Sequence, residues 1–145
     1  MLSGGSARTR KSLIKIKEAT NMNFKIPLNP RTKKNSMQIF YNKRINRPFI
    51  TQSKLYKEYE AEAEEYMPKL KTPIDYRFNI KAMFYRGSKH NCDLNNLQAA
   101  LADIMVKYGV IKDDSWKYLV SWDGSRICFD KENPRTEVFL TKSKE

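Results

Sequence analysis

An alternating segment followed by a helical one constrains the fold more than any other part of the chain. Residues 74–85 alternate apolar and polar positions, which is the side-chain period of a β-strand. Residues 95–108 instead repeat their apolar positions at the spacing of an α-helix, and Gly109 is a suitable residue for the C-terminal cap. The chain is therefore expected to contain a long strand that leads, through a polar loop, into an amphipathic helix.

Shorter patterns predict the rest of an α+β fold. The other predicted elements are a first strand, a hairpin, a first helix and two late strands, at residues 24–28, 37–41 with 47–51, 53–67, 116–122 and 136–141. Pro27 favours an edge position for the first strand. The order β, ββ, α, β, α, ββ indicates a mixed sheet with two principal helices. Residues 1–22 have the composition of a flexible basic extension, which leaves residues 23–145 as one domain.

The charge of the chain indicates an anionic partner. The sequence has 28 Lys and Arg residues against 16 Asp and Glu residues, a formal net charge of +12. Nucleic acid and an acidic membrane surface both suit such a protein. No apolar run approaches the length of a membrane span, and the N-terminus lacks the apolar segment of a secretory signal, so we expect neither insertion nor export. Cys92 and Cys128 have no framework spacing, which favours free thiols in a reducing cytosol.

Four aspartates are gathered in a short stretch of this basic chain. Asp93 precedes the predicted second helix, Asp103 lies on it, and Asp113 and Asp114 follow Gly109. For each one alone a structural role is favoured; Asp93, for example, would cap the helix by accepting amide hydrogen bonds. As a set they favour a site for a hard cation such as Mg²⁺. An ion of this kind neutralises charge and activates water in phosphodiester hydrolysis.

Two other groups of residues are open to more than one interpretation. His90 beside Cys92 offers too few ligands for a structural zinc site. Trp116, Tyr118 and Trp122 alternate along a predicted strand and so share one side of it. Packing in the core or in a dimer interface is favoured for these three rings, and stacking on bases is the alternative.

The segment from Asp93 to Ser115 resembles the RusA-type Holliday-junction resolvase family. The matching features are Asp93-x-x-Asn96-Leu97, a helix containing Asp103, then Gly109 and Asp113-Asp114-Ser115. The segment Ile26-Pro27-Leu28-Asn29-Pro30 is similar to the opening strand and turn of that family. The resemblance extends over about residues 24–141 and implies the α+β fold of the family.

The resemblance also implies an activity. Members are homodimers that bind four-way or related branched DNA and cut two opposed strands symmetrically with Mg²⁺, for which Mn²⁺ can substitute. The implied location is the cytoplasm of a bacterium or of a phage-infected cell. Matched by position, the expected catalytic residues are Asp93, Asp103 and Asp114. The expected metal ligands are Asp93, Asn95, Asp113 and Asp114.

Two departures from the family pattern support a different hypothesis. Asn95 stands where well-studied members have a third aspartate, and Ala99 stands where a lysine is common. That lysine would stabilise transition-state charge or contact phosphate. Four lysines could replace it from another direction: Lys89, Lys107, Lys112 and Lys117. The alternative function is therefore a catalytically weak or inactive junction-binding protein of the same fold, whereas the retained aspartates favour the enzyme.

DNA contacts are expected from polar and basic residues on loops and around the second helix. These residues are Arg31, Lys33, Lys34, Lys43, Arg44, Arg86, Lys89, Asn96, Lys112 and Lys117. Phosphate contacts from such side chains position a protein on DNA without reading its sequence. No base-reading motif is visible, so recognition is expected to depend on junction shape and backbone charge.

Overall fold

The structure, a computed structural model, describes residues 21–33, 37–42, 47–52 and 54–144. Within these ranges the chain forms seven β-strands and two α-helices. Their bounds are β1 Asn21–Ile26, β2 Met37–Asn42, β3 Arg47–Gln52, α1 Lys54–Ala63, β4 Phe78–Arg86, α2 Leu94–Lys107, β5 Leu119–Ser121, β6 Arg126–Phe129 and β7 Arg135–Lys142. A short 3-10 helix, Glu64–Tyr66, continues α1. The predicted α+β class with two principal helices is confirmed.

The main sheet is mixed and is built around β4. Strand β7 pairs antiparallel with β4 on one side and with β1 on its other side. Strands β5 and β6 both pair parallel with β4 along its remaining edge, β5 near its beginning and β6 near its end. The predicted hairpin is present as a separate two-stranded sheet of β2 and β3. Because β4 pairs with three strands, its position sets the register of the whole main sheet.

Two predicted strands begin at different residues in the structure. Strand β1 starts at Asn21 because β7 is long enough to pair with it, and the register matches Asn21 to Thr141. Asn21 and Met22, which the sequence assigned to the extension, therefore belong to the sheet, and residues 1–20 lie outside the described residues. Strand β4 starts at Phe78 and not at residue 74, since Ile74 instead makes an isolated parallel bridge to Ile111.

The predicted strand at residues 116–122 is shortened to β5 at residues 119–121, and β6 was not predicted. Both follow β4 in the same direction, so they act as one strand broken by a turn at Gly124, whose φ is +87°. Side chains hold the break: Asn79 accepts hydrogen bonds from the Asp123 amide and the Ser121 hydroxyl. Ser125 Oγ accepts from the Ala82 amide and donates to the Ile80 carbonyl. These tertiary contacts replace part of the ladder and have no local signal in the sequence.

The core is formed by one face each of β4, α1 and α2, together with residues of β1 and β7. On β4 the buried side chains alternate, as predicted, and on α2 they recur at helical spacing. The largest of them are Tyr56, Phe78, Phe84, Ile26, Ile80, Leu97, Ile104 and Met105. Burial raises the pKa of Tyr59 to about 12, so this core hydroxyl stays neutral at physiological pH.

Strand β1 should be an integral part of the fold. Ile26 is fully buried, so Ile26→Ala should lower the free energy of unfolding by about 2–5 kcal/mol through lost burial and a residual cavity. Lys25 is exposed in the same strand, and Lys25→Ala should change stability by less than about 0.5 kcal/mol. Urea denaturation of both variants measures the difference. Equal stabilities for the two variants would contradict the assignment of β1 to the core.

Candidate functional site

Asp93 stands at the N-cap of α2 with its carboxylate open to solvent. Its backbone carbonyl accepts hydrogen bonds from the amides of Asn96 (3.1 Å) and Leu97 (3.2 Å). Its side chain makes no capping hydrogen bond, so the structural role considered for this carboxylate, an amide cap, is not observed. The Asn96 side-chain amide donates to Oδ2 at 3.4 Å. The exposed oxygens of Asp93 are therefore accessible to an external ligand.

Asp113 and Asp114 follow the turn that ends α2. Gly109 adopts φ +77°, as expected for a residue just after a helix, and the Val110 amide donates back to the Met105 carbonyl. The Lys112 amide donates to the Ile74 carbonyl. This hydrogen bond anchors the segment beside the residues that precede β4. The two carboxylates thus extend from a fixed backbone, and Asp114 is exposed.

The Asp113 carboxylate is stabilised in its charged form by its own turn. Hydrogen bonds from the Ser115 hydroxyl and from the backbone amides of Asp114 and Ser115 lower the pKa of Asp113 below its usual value. A carboxylate that stays ionised is a suitable oxygen ligand for a hard cation and a poor general acid. We therefore expect Asp113 to contribute a negative charge to this region.

Asp103 forms an ion pair. Its carboxylate contacts Lys33 Nζ at 2.8 Å, and both side chains are about half exposed. The pair joins the segment after β1 to the middle of α2. One predicted catalytic residue and one predicted DNA contact therefore compensate each other's charge in the structure.

The described residues contain no group of three or more Asp, Glu, His or Cys side chains placed to hold a metal ion. The predicted carboxylate ligands Asp93, Asp113 and Asp114 are accordingly not gathered into one cluster within this part of the chain. The donor chemistry is still suitable, because Mg²⁺ commonly takes one or two carboxylates and completes its shell with water and substrate phosphates. Asp114 is exposed and Asp113 is partly exposed, so the oxygens of both are accessible to such an ion.

The two departures on α2 lie at the surface. Asn95 and Ala99 are both exposed, and because an amide and a methyl group are uncharged, neither contributes charge to the region around Asp93. Among the lysines considered as replacements, Lys107 is held by Glu60 on α1 at 2.7 Å, which raises the pKa of the lysine. Lys112 remains exposed near the two aspartates.

The predicted DNA contacts are in different environments. Lys34, Lys43 and Arg44 lie outside the residues whose side chains the structure describes. Arg86 donates to the carbonyl of His90 and so braces the loop before α2. The remaining predicted contacts that are exposed in the described chain are Lys89, Lys112 and Lys117.

The prediction that Trp116 lies on a strand, made from the alternation of aromatic residues, is wrong. Residues 115–118 form a turn, in which the amides of Tyr118 and Leu119 donate to the Ser115 carbonyl. Trp116 is consequently 78% exposed and not packed in the core, whereas Tyr118 and Trp122 are partly buried against it. Arg77, which the sequence did not single out, lies with its guanidinium carbon 5.6 Å from the centre of the Trp116 ring.

Comparison with known proteins identifies one family. A family model described as Endodeoxyribonuclease RusA matches residues 27–141, which is most of the chain. No curated protein matches the sequence. Within the described residues no helix is long and apolar enough to cross a membrane.

The stabilisation of the charged Asp113 carboxylate can be tested by removing the neighbouring Ser115 hydroxyl. Ser115→Ala deletes a hydrogen bond to the ionised carboxylate, so the pKa of Asp113 should rise toward its ordinary value. Carbon-detected NMR titration of the side-chain carboxyl measures the shift. Ser121→Ala, which removes a hydroxyl bound to Asn79, is the control and should leave Asp113 unchanged. An Asp113 titration that is identical in the Ser115→Ala variant would contradict the assignment.

Proposed function

Since this chain belongs to the RusA endodeoxyribonuclease family, we propose that it resolves Holliday junctions or related branched DNA by hydrolysing phosphodiester bonds. The observation that best supports this proposal is the turn after α2. There an ionised Asp113 and an exposed Asp114 extend from a fixed backbone in a chain of net charge +12. A basic protein attracts the DNA backbone, and exposed carboxylates then provide the place for a cation beside a phosphate.

We further propose that cleavage depends on Mg²⁺, with Mn²⁺ as a substitute. Asp113 and Asp114 would hold the ion together with a DNA phosphate, and Asp93 and Asn95 would approach from the start of α2. When bound, such an ion lowers the pKa of a coordinated water and neutralises charge that develops on phosphorus and on the leaving oxygen. Ser115 donates a hydrogen bond that lowers the pKa of Asp113, and the exposed Lys112 offers a nearby cation for phosphate.

We propose a homodimer as the active form in the cytoplasm of a bacterium or a phage-infected cell. Symmetric cutting of two opposed strands requires two equivalent sites, and a two-fold axis supplies them. Symmetry of this kind also matches the pseudo-two-fold shape of a four-way junction.

A second candidate function is a junction-binding protein with weak or no cleavage. Two observations favour it: Ala99 and Asn95 are exposed without charge, and Lys107 is engaged with Glu60. If cleavage requires a lysine to stabilise negative charge on the phosphate, that lysine must come from an element other than α2. Cleavage assays separate the two functions, because both predict that junctions are bound.

The aspartates can be tested by removing one charge at a time. Asp93→Asn and Asp114→Asn keep the side-chain shape and remove a charged ligand, so junction cleavage should fall by at least about 100-fold. Binding should persist or tighten, because less negative charge faces the phosphate. Asp123→Asn alters an exposed aspartate outside the site and is the control. Denaturing gels measure cleavage and gel-shift titrations measure binding; unchanged cleavage in both site variants would exclude these residues from the metal site.

Electrostatic binding makes a separate prediction for Lys112. Junction affinity should fall steeply with salt, because neutralised phosphates release counterions. If Lys112 contacts a phosphate, Lys112→Gln should reduce the slope of log K against log salt by about 1. Lys54→Gln is the control, since Lys54 lies on the glutamate-rich α1 and pairs with Glu58 at 3.9 Å. Affinity titrations at several salt concentrations decide the point; equal slopes for the two variants would argue against a phosphate contact at Lys112.

A further inference from the structure

Trp116 exposes a large aromatic surface that the fold does not use. Its side chain is 78% exposed, the largest value among the exposed large hydrophobic residues that the structure describes. Burying an indole is strongly favourable, so leaving one in solvent forgoes a large stabilisation. The ring is nevertheless carried by an ordered turn, since the amides of Tyr118 and Leu119 both donate to Ser115 at 2.9 Å. The turn presents the ring outward on a fixed backbone.

Arg77 gives this ring a cationic neighbour. Its guanidinium carbon lies 5.6 Å from the ring centre, within the range of a cation–π interaction. The backbone around Arg77 is also fixed, because its carbonyl accepts from the Ser143 amide and the next amide, of Phe78, donates to Tyr118, both at 2.8 Å. The ring and the guanidinium are therefore held by the same end of the main sheet.

Two more cation–aromatic pairs lie at the same end of the main sheet. Lys117 Nζ lies 5.9 Å from the Tyr118 ring centre, and Lys142 Nζ lies 5.1 Å from that of Tyr76. Lys142 is opposite Phe78 in the β4–β7 register, which places this pair at the same end of β4. We call the six residues the Trp116 surface: Tyr76, Arg77, Trp116, Lys117, Tyr118 and Lys142. Aromatic rings interleaved with cations are the combination that binds single-stranded nucleic acid.

The Trp116 surface lies directly beside the candidate active site. Trp116 follows Asp114 by two residues, which limits the separation of their Cα atoms to about 7 Å. A nucleotide whose phosphate shared a cation with Asp113 and Asp114 would therefore have neighbouring bases within reach of the indole. Continuous duplex keeps its bases stacked inside, whereas a branch point offers bases that are unpaired or weakly stacked.

We propose that Trp116, with Arg77 beside it, stacks on an unpaired base at the branch point of the substrate and so distinguishes branched DNA from continuous duplex. This inference rests on the proposed function, since it assigns substrate selection to the same site. The ligand is a nucleobase of locally single-stranded DNA. Lys117, exposed and next to Trp116 in the chain, contacts the backbone beside that base.

The test compares binding to a synthetic four-way junction and to a duplex of the same base composition, in EDTA so that no strand is cut. Trp116→Ala should weaken junction binding by about 5- to 150-fold, the range of base–aromatic stacking, and change duplex binding by less than about twofold. Trp116→Phe should retain most of the junction affinity because it keeps an aromatic face. Leu55→Ala is the control, since Leu55 is 55% exposed on α1, which contributes no residue to the Trp116 surface. Both substituted side chains are exposed, so the melting temperatures of the three variants should be unchanged.

The outcomes are distinguishable. Loss of junction preference in Trp116→Ala, and in no other variant, supports the inference. The inference is also supported if the unsubstituted protein quenches a 2-aminopurine placed at the crossover and Trp116→Ala does not. If the unsubstituted protein prefers the junction and Trp116→Ala keeps that preference, the inference is wrong while the proposed function stands. If the unsubstituted protein binds junction and duplex equally, both are wrong.

Discussion

The burial of one face of α2 in the core is the constraint on which the candidate site depends. Leu97, Leu101 and Ile104 are at most 2% exposed, in the same core as the inward face of β4. With that face fixed, Asp93 is held at the start of the helix with its oxygens in solvent. The turn at Gly109 then directs buried Val110 and Ile111 toward Ile74, so that the aspartates that follow extend from an anchored backbone. The apolar packing of one helix thus positions polar groups at both of its ends.

Much of this architecture follows from local sequence patterns, and the exceptions have tertiary causes. The alternation in β4 and the helical spacing in α2 predicted these elements, because each pattern depends on neighbours along the chain. The break between β5 and β6 was not predictable, because hydrogen bonds to β4 hold it. Asn79 of β4 accepts from the Asp123 amide, and Ser125 accepts from the Ala82 amide of β4. Trp116 was misassigned for a related reason: alternation suggested a strand, while hydrogen bonds to the Ser115 carbonyl formed a turn.

The site shows the same division between residue identity and environment. Order and spacing were sufficient to identify the family, whose model matches residues 27–141. They were not sufficient to show that Asp103 is paired with Lys33, a residue 70 positions earlier. The stabilisation of Asp113 by Ser115 is local, and the short spacing between them was the only signal for it. Whether a carboxylate is exposed to solvent or paired with a cation therefore depends on the folded structure.

The central claim is that this chain is a working nuclease of its family and more than a junction-binding protein. The most direct measurement incubates the protein with a four-way junction labelled on each strand in turn, in Mg²⁺, in Mn²⁺ and in EDTA. If the chain is a working nuclease, we expect cuts at symmetric positions in two opposed strands with either metal, none in EDTA, and an intact matched duplex. A protein that binds the junction tightly but cuts no strand with either metal would contradict the claim and establish the non-catalytic function.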